Sequence, residues 1–262
     1  MIDTHSHLYS EEFDIDSVEA IHRAKEIGVT KIILPNIDSD SLPHMLKLEA
    51  EYPGYCFAAI GLHPTSVKSD FRTELDLVES ELKRREYIAI GEIGIDLYWD
   101  KSFLQEQLAA FRQQLDWAIE YKLPVIIHVR DSMQETIEVM ESYRYKGLKG
   151  VFHSFTGSKK DADWIIDFGG FYLGINGIIT FKNSGLDKII RQLSIENLLL
   201  ETDSPYLTPV PYRGKRNESA YIDFVCQKLS DIFEVEKSEI IQKTTKNSLN
   251  LFKKLNEISQ KS

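Results

Sequence analysis

Eight short apolar runs, each followed by an amphipathic stretch, leave this chain few ways to fold. The runs are Ile2–His7, Lys31–Asn36, Cys56–His63, Tyr87–Ile93, Pro124–Val129, Gly150–Phe155, Phe171–Ile175 and Asn197–Asp203. Several, such as Ile32-Ile33-Leu34 and Val125-Ile126-Ile127, are continuously apolar, as parallel strands covered on both faces must be. Between them apolar residues recur at steps of three and four. Leu104, Leu108, Phe111, Leu115 and Ala118 do so in one stretch, where Ser102 and Gln105 have the spacing of a capping box. Similar stretches run over Asp16–Ile27, Ser39–Glu51, Thr73–Arg85, Ser132–Tyr145, Ser158–Phe168 and Gly185–Leu193, and Asn217–Phe233 and Lys237–Leu255 close the chain. Eight strands alternating with helices predict an α/β fold of the (β/α)8 TIM-barrel type, with residues 1–262 as one domain. The rival is an open doubly wound sheet, which would put a site at one switch point.

The charge balance is acidic: 31 Lys+Arg against 41 Asp+Glu, a net charge of −10. That excludes a protein that coats nucleic acid non-specifically, but not an enzyme that handles it locally. No run of about 18 apolar residues predicts a membrane span. Met1-Ile2-Asp3-Thr4-His5 has no leader pattern, and Cys56 and Cys226 lie too far apart for a redox or metal spacing, so a cytoplasmic location is expected.

The residues at the run ends favour the barrel. Five of the seven histidines fall there: His5 and His7 on the first run, His63 on the third, His128 on the fifth and His153 on the sixth. Glu92 ends the fourth run and Asp203 the eighth. In a barrel these ends converge on one rim, where such enzymes build their sites. Alternation along a strand is expected to turn both His5 and His7 to the barrel interior. Imidazoles and carboxylates together make a ligand set for divalent transition ions. His5, His7 and Asp203 suit one ion, and His128 and His153 a second. Glu92, with two oxygens, bridges them. A lone His-x-His is usually a pair of structural histidines, Glu92 alone could start a helix, and Asp203 alone could cap a turn. The coincidence of six such residues at matched positions argues otherwise. His22 and His44 fall in helical stretches and are read as surface or helix-packing residues.

With those residues in place, the chain resembles the TatD family of metal-dependent deoxyribonucleases, within the amidohydrolase-like barrels. The resemblance rests on Asp3-Thr4-His5-Ser6-His7-Leu8, Gly61-Leu62-His63-Pro64, Gly91-Glu92-Ile93-Gly94-Ile95-Asp96, Ile127-His128-Val129-Arg130, His153-Ser154-Phe155-Thr156-Gly157, Glu201-Thr202-Asp203-Ser204-Pro205 and Arg213-Gly214-Lys215-Arg216-Asn217-Glu218. It implies a two-metal site, with His5, His7 and Asp203 on the first ion, His128 and His153 on the second, and Glu92 between them. The chain departs from the family pattern at Thr65, Leu97 and Ser219, none of them an expected ligand.

The expected activity is exonucleolytic hydrolysis of DNA phosphodiester bonds by a metal-activated water, with Mg, Mn or Zn as the two divalent ions. Asp203 and Glu92 are the expected catalytic groups, and Asp203 the acceptor of the water's proton. His63, Arg130, Arg213, Lys215 and Arg216 are expected substrate contacts, each with a plain alternative as a loop histidine, a salt-bridge partner or a solvated charge. Asp96 and Glu201 are expected to orient ligands. Tyr98 and Trp99 suit either a packed lid or a surface for a base. The expected partner is DNA or an oligonucleotide, met by a monomer away from membranes. Two other readings fit the same residues: a barrel hydrolase for a C–N, lactone or phosphomonoester bond, and an idle protein that binds metal or a partner.

Overall fold

A computed structural model describes residues 1–257. Eight strands are present: β1 (Ile2–Asp3), β2 (Lys31–Pro35), β3 (Cys56–Ala59), β4 (Ile90–Asp96), β5 (Val125–Arg130), β6 (Gly150–Phe152), β7 (Phe171–Ile175) and β8 (Leu198–Leu200). Between and after them lie α1 (Ser17–Glu26), α2 (Leu42–Glu51), α3 (Phe71–Arg84), α4 (Leu104–Glu120), α5 (Met133–Glu141), α6 (Lys159–Phe168), α7 (Leu186–Ile190), α8 (Ile222–Phe233), α9 (Lys237–Leu251) and α10 (Lys254–Glu257). All strand pairings are parallel, in a three-stranded run β1-β2-β3 and a five-stranded run β4 to β8.

Backbone hydrogen bonds join the two runs at both edges. Thr4 N–H donates to Leu200 O at 3.1 Å, Asp203 N–H to His5 O at 2.9 Å and His7 N–H to Ser204 O at 2.7 Å. On the other side Ile60 N–H donates to Ala89 O at 3.1 Å and Gly91 N–H to Ile60 O at 2.8 Å. The sheet is therefore a closed ring, the barrel expected from the alternation.

The strands divide their side chains by parity. Ile33, Ile126, Val151 and Leu199 form an inner cluster with Ile2, Phe57 and Ala59. Their neighbours Ile32, Leu34, Val125, Ile127, Leu198 and Leu200 belong to the larger outer cluster under the helices. Leu251, Phe252 and Leu255 complete the inner cluster. One end of the barrel is thus plugged by apolar side chains, and the other is left to polar ones.

Three local expectations change. Helix α4 starts at Leu104 after Phe103, without a side-chain cap; Ser102 N–H is instead held by Asp100 Oδ1 at 2.8 Å, so no capping box forms there. One does form at α6, between Ser158 and Asp161. Strand β4 begins at Ile90 and not Tyr87, and runs on to Asp96. Strand β1 ends at Asp3, short of the histidines. No helix among the described residues is long and apolar enough to cross a membrane.

Candidate metal centre

Glu92 reaches the barrel interior through an irregularity. Ile90 pairs with Val125 and Ile93 with Ile127, so β4 spends one more residue than β5 over that interval. Such a bulge re-aims side chains. Without it Glu92 would share the outward parity of Ile90. With it, Glu92, Gly94 and Asp96 face inward, and Glu92 is 2% exposed.

The two oxygens of Glu92 face different histidines. Its Oε2 lies 3.0 Å from His5 Nε2 and 3.7 Å from His7 Nε2. Its Oε1 lies 2.7 Å from His128 Nδ1, 3.3 Å from His63 Nε2 and 3.7 Å from His153 Nε2. Asp203 Oδ1 lies 3.6 Å from Nε2 of both His5 and His7, and 3.7 Å from His153 Nε2. The rings of His5 and His153 stack at 3.4 Å. Asp203 adopts a left-handed backbone, φ 58°, which Asp tolerates better than most residues.

His5 and His7 reach the centre despite the short strand. Counting from inward Ile2, strict alternation would send positions 5 and 7 toward the helices. Asp3 breaks the count: its Oδ1 accepts His5 N–H at 3.3 Å and Thr202 N–H at 3.0 Å, and its Oδ2 accepts the Thr202 hydroxyl at 2.7 Å. The buried Asp3 carboxylate thereby ties the first strand to the segment that carries Asp203.

Hydrogen bonds decide what each imidazole presents. The Tyr9 hydroxyl donates its one proton to Pro35 O, so it accepts from His7 Nδ1 at 2.9 Å. That leaves a lone pair on His7 Nε2, facing the centre. His153 lies beside a charge instead: Glu201 Oε1 is 3.0 Å from its Nδ1 without hydrogen-bond alignment, and Nε2 points inward. His63 is the opposite case. Its Nδ1 accepts Thr65 N–H at 3.1 Å, so Nε2 carries the proton and donates toward Glu92. His128 has a carboxylate at each nitrogen, Glu92 at Nδ1 and Asp96 at Nε2, 2.9 Å away. Tyr9 was not singled out from sequence; only its place two residues past His7 hinted at it.

These contacts set the acidities. Burial pushes Glu92 up, but the charges of His63, His5 and His153 and the His128 hydrogen bond overrule it and hold it well below the usual carboxylate range. Burial raises Asp203 to about 7, against the pull of His153. Burial lowers His5 strongly and His7 to about 4. Burial also works against protonated His153, yet Glu201, Glu92 and Asp203 raise it to about 10.

The donor atoms fit a bound cation. His5, His7 and Asp203 form one group of converging ligand atoms, and His5, Glu92 and His153 another. Separations of 3.0 to 3.7 Å bracket the edge, about 3.3 Å, of a tetrahedron of ligands about 2.0–2.1 Å from an ion. In a third group, His63, Glu92 and His128, His63 presents a proton, which leaves Glu92 and His128 to supply the ligand atoms.

Glu201 is fully buried, and its Oε1 also accepts Ser154 N–H at 2.7 Å. It fits because residue 174 is glycine: a Cβ there would lie 2.1 Å from Glu201 Oε2. Anionic partners of this kind orient a ligand histidine, and losing one costs about 10–100-fold in metal affinity. Glu201→Gln should therefore weaken Mn or Zn binding by that factor in calorimetry with an unchanged circular dichroism spectrum; unchanged affinity would remove Glu201 from the orienting role.

A cavity of about 680 Å³ opens above the cluster, lined among others by His7, His63, Glu92, His128, Asp203, Trp99, Arg130 and Tyr206. Arg130 reaches its lip. Arg213, Lys215 and Arg216 are not among its lining residues. Arg216 is engaged by Asp16, at 2.5 Å, and by Glu12 O at 2.7 Å. Arg213 lies over the Phe181 ring and Lys215 over that of Tyr212. His22 and His44 are exposed on α1 and α2.

A closed α/β barrel with imidazoles and carboxylates massed at the C-terminal ends of its strands defines a metal-dependent hydrolase. This chain belongs to the TatD related DNase family, whose family model matches residues 2–253. The uncharacterized metal-dependent hydrolase YabD of Bacillus subtilis is 35% identical over 254 residues, covering 97% of this chain and 99% of its own. The 3'-5' ssDNA/RNA exonuclease TatD of Yersinia pseudotuberculosis is 32% identical over 259 residues, covering 97% and 99%. The crystal structure of YjjV, a TatD homolog from Escherichia coli, superposes with a TM-score of 0.90 at 31% identity, covering 97% of this chain and 98% of that one.

Proposed function

We propose that this chain is a two-metal exonuclease that hydrolyses DNA phosphodiester bonds, acting as a cytoplasmic monomer. The observation that carries this reading is the divided carboxylate of Glu92, with Oε2 toward His5 and His7 and Oε1 toward His128 and His153. A carboxylate held that way would serve two cations at once. His5, His7 and Asp203 would hold one, and His128 and His153 the other. Divalent ions such as Mg, Mn or Zn supply hydroxide at neutral pH and neutralise charge on the phosphoryl oxygens.

The side chains do the rest. Asp203 takes the proton of the attacking water and passes it to the leaving oxygen as the P–O bond breaks. His63 Nε2–H donates to a phosphoryl oxygen, the use its tautomer allows. Glu201 and Tyr9 keep His153 and His7 oriented. Arg130, at the cavity lip, pairs with a flanking phosphate. The relative named as a 3'-5' ssDNA/RNA exonuclease supports a nucleic-acid substrate.

The test is a substrate panel: a single-stranded oligonucleotide, a lactone and a phosphomonoester, each with Mg, Mn or Zn and after chelation. The oligonucleotide should shorten from one end, and chelation should slow it by on the order of 10³-fold or more. Turnover of the lactone or the monoester with the oligonucleotide intact would overturn the reading.

A further inference from the structure

The lip of the cavity carries a surface that the hydrolytic step does not need. Tyr98 and Trp99 are 54% and 68% exposed, so they are not a packed lid. Yet they are firmly placed. Asp96 Oδ1 accepts the N–H groups of Tyr98 and Trp99 at 3.0 and 3.2 Å, while its Oδ2 faces His128 Nε2 at 2.9 Å. Gln107 of α4 in turn clamps the Asp96 backbone, accepting its N–H at 2.8 Å and donating to its carbonyl at 3.1 Å. One carboxylate thus fixes the aromatic pair relative to the centre. Arg130 lies with its guanidinium 3.8 Å over the Tyr98 ring and 5.4 Å from that of Trp99. Among the described residues nothing pairs with its charge, and its N–H edge is free. Trp99 and Arg130 line the same cavity as Glu92 and Asp203.

An exposed indole beside an anchored, unpaired guanidinium matches one ligand chemistry: a flat π face joined to a phosphate. We propose that Tyr98, Trp99 and Arg130 seat the nucleotide next to the scissile phosphate, its base stacked on Trp99 and its phosphate on the free edge of Arg130. The proposal rests on the nuclease reading above. It fits an unstacked, single-stranded end, since a base stacked within a duplex has no free face to offer. It also makes recognition indifferent to base identity, because every base has a π face.

The experiment compares oligo-dT with the same strand carrying an abasic residue beside the cleaved bond, using the metal-replete enzyme. Wild type should lose about 5- to 100-fold in kcat/KM on the abasic strand, the size of one base–aromatic stack. Trp99→Ala should cleave the two strands alike, and Trp99→Phe should restore the difference. Wild-type enzyme that cleaves both strands equally, or a Trp99→Ala variant that still discriminates, overturns the proposal. If wild type cleaves neither strand, the nuclease reading falls, and titration with oligo-dT in chelator decides the stacking separately. Fluorescence quenched in wild type and not in Trp99→Phe supports the seat; no quenching overturns it.

Discussion

Asp203→Asn lowers turnover of a single-stranded oligonucleotide by about 10²–10⁴-fold, the range expected for loss of a general base. At saturating Mn the substitution bears mainly on the proton, because one amide oxygen remains to hold an ion. Asparagine keeps the shape and one oxygen but cannot accept the water's hydrogen. It also tolerates the left-handed backbone found at this position, φ 58°, about as well as aspartate does. The barrel join made by Asp203 N–H to His5 O uses no side chain, so the fold persists. Single-turnover cleavage at saturating Mn, with a thermal melt to verify folding, measures the effect. A rate within about threefold of wild type would take Asp203 out of proton transfer.

Glu92→Gln has the larger effect, because one change reaches five imidazoles. The glutamine keeps the volume of the buried side chain and removes the charge whose two oxygens face different histidines. Cation binding and turnover should fall together, with kcat/KM down by on the order of 10³-fold or more. Metal content after dialysis, measured beside activity at excess Mn, separates the two losses. A variant that retained two ions per chain and normal turnover would end the bridging role.

Much of the fold was legible because burial on both faces forces strands to be apolar throughout, as in Val125-Ile126-Ile127. The rim was legible because chemistry gathers where strands stop. What escaped was local geometry. Glu92 has the parity of outward-facing Ile90, and only the bulge before Ile93 turns it inward. His5 and His7 were expected to share a side through strand alternation, but the strand ends at Asp3, and a carboxylate-made turn brings them together. Tautomers depend on distant partners, so the difference between His7, backed by Tyr9, and His63, capped by Thr65, has no sequence signature. The loop cations illustrate the same limit. Arg213, Lys215 and Arg216 read as one charge run, yet Arg216 is held by Asp16, nearly two hundred residues earlier.

The joins that close the barrel also order events in time. The backbone of His5 and His7 is pinned by Asp203 and Ser204, so the first ligands made by the ribosome wait for almost the last. Until that late segment leaves the exit tunnel, no nascent chain holds the full set of groups. The ligand set of this metal-dependent hydrolase is therefore complete only once the ring has shut.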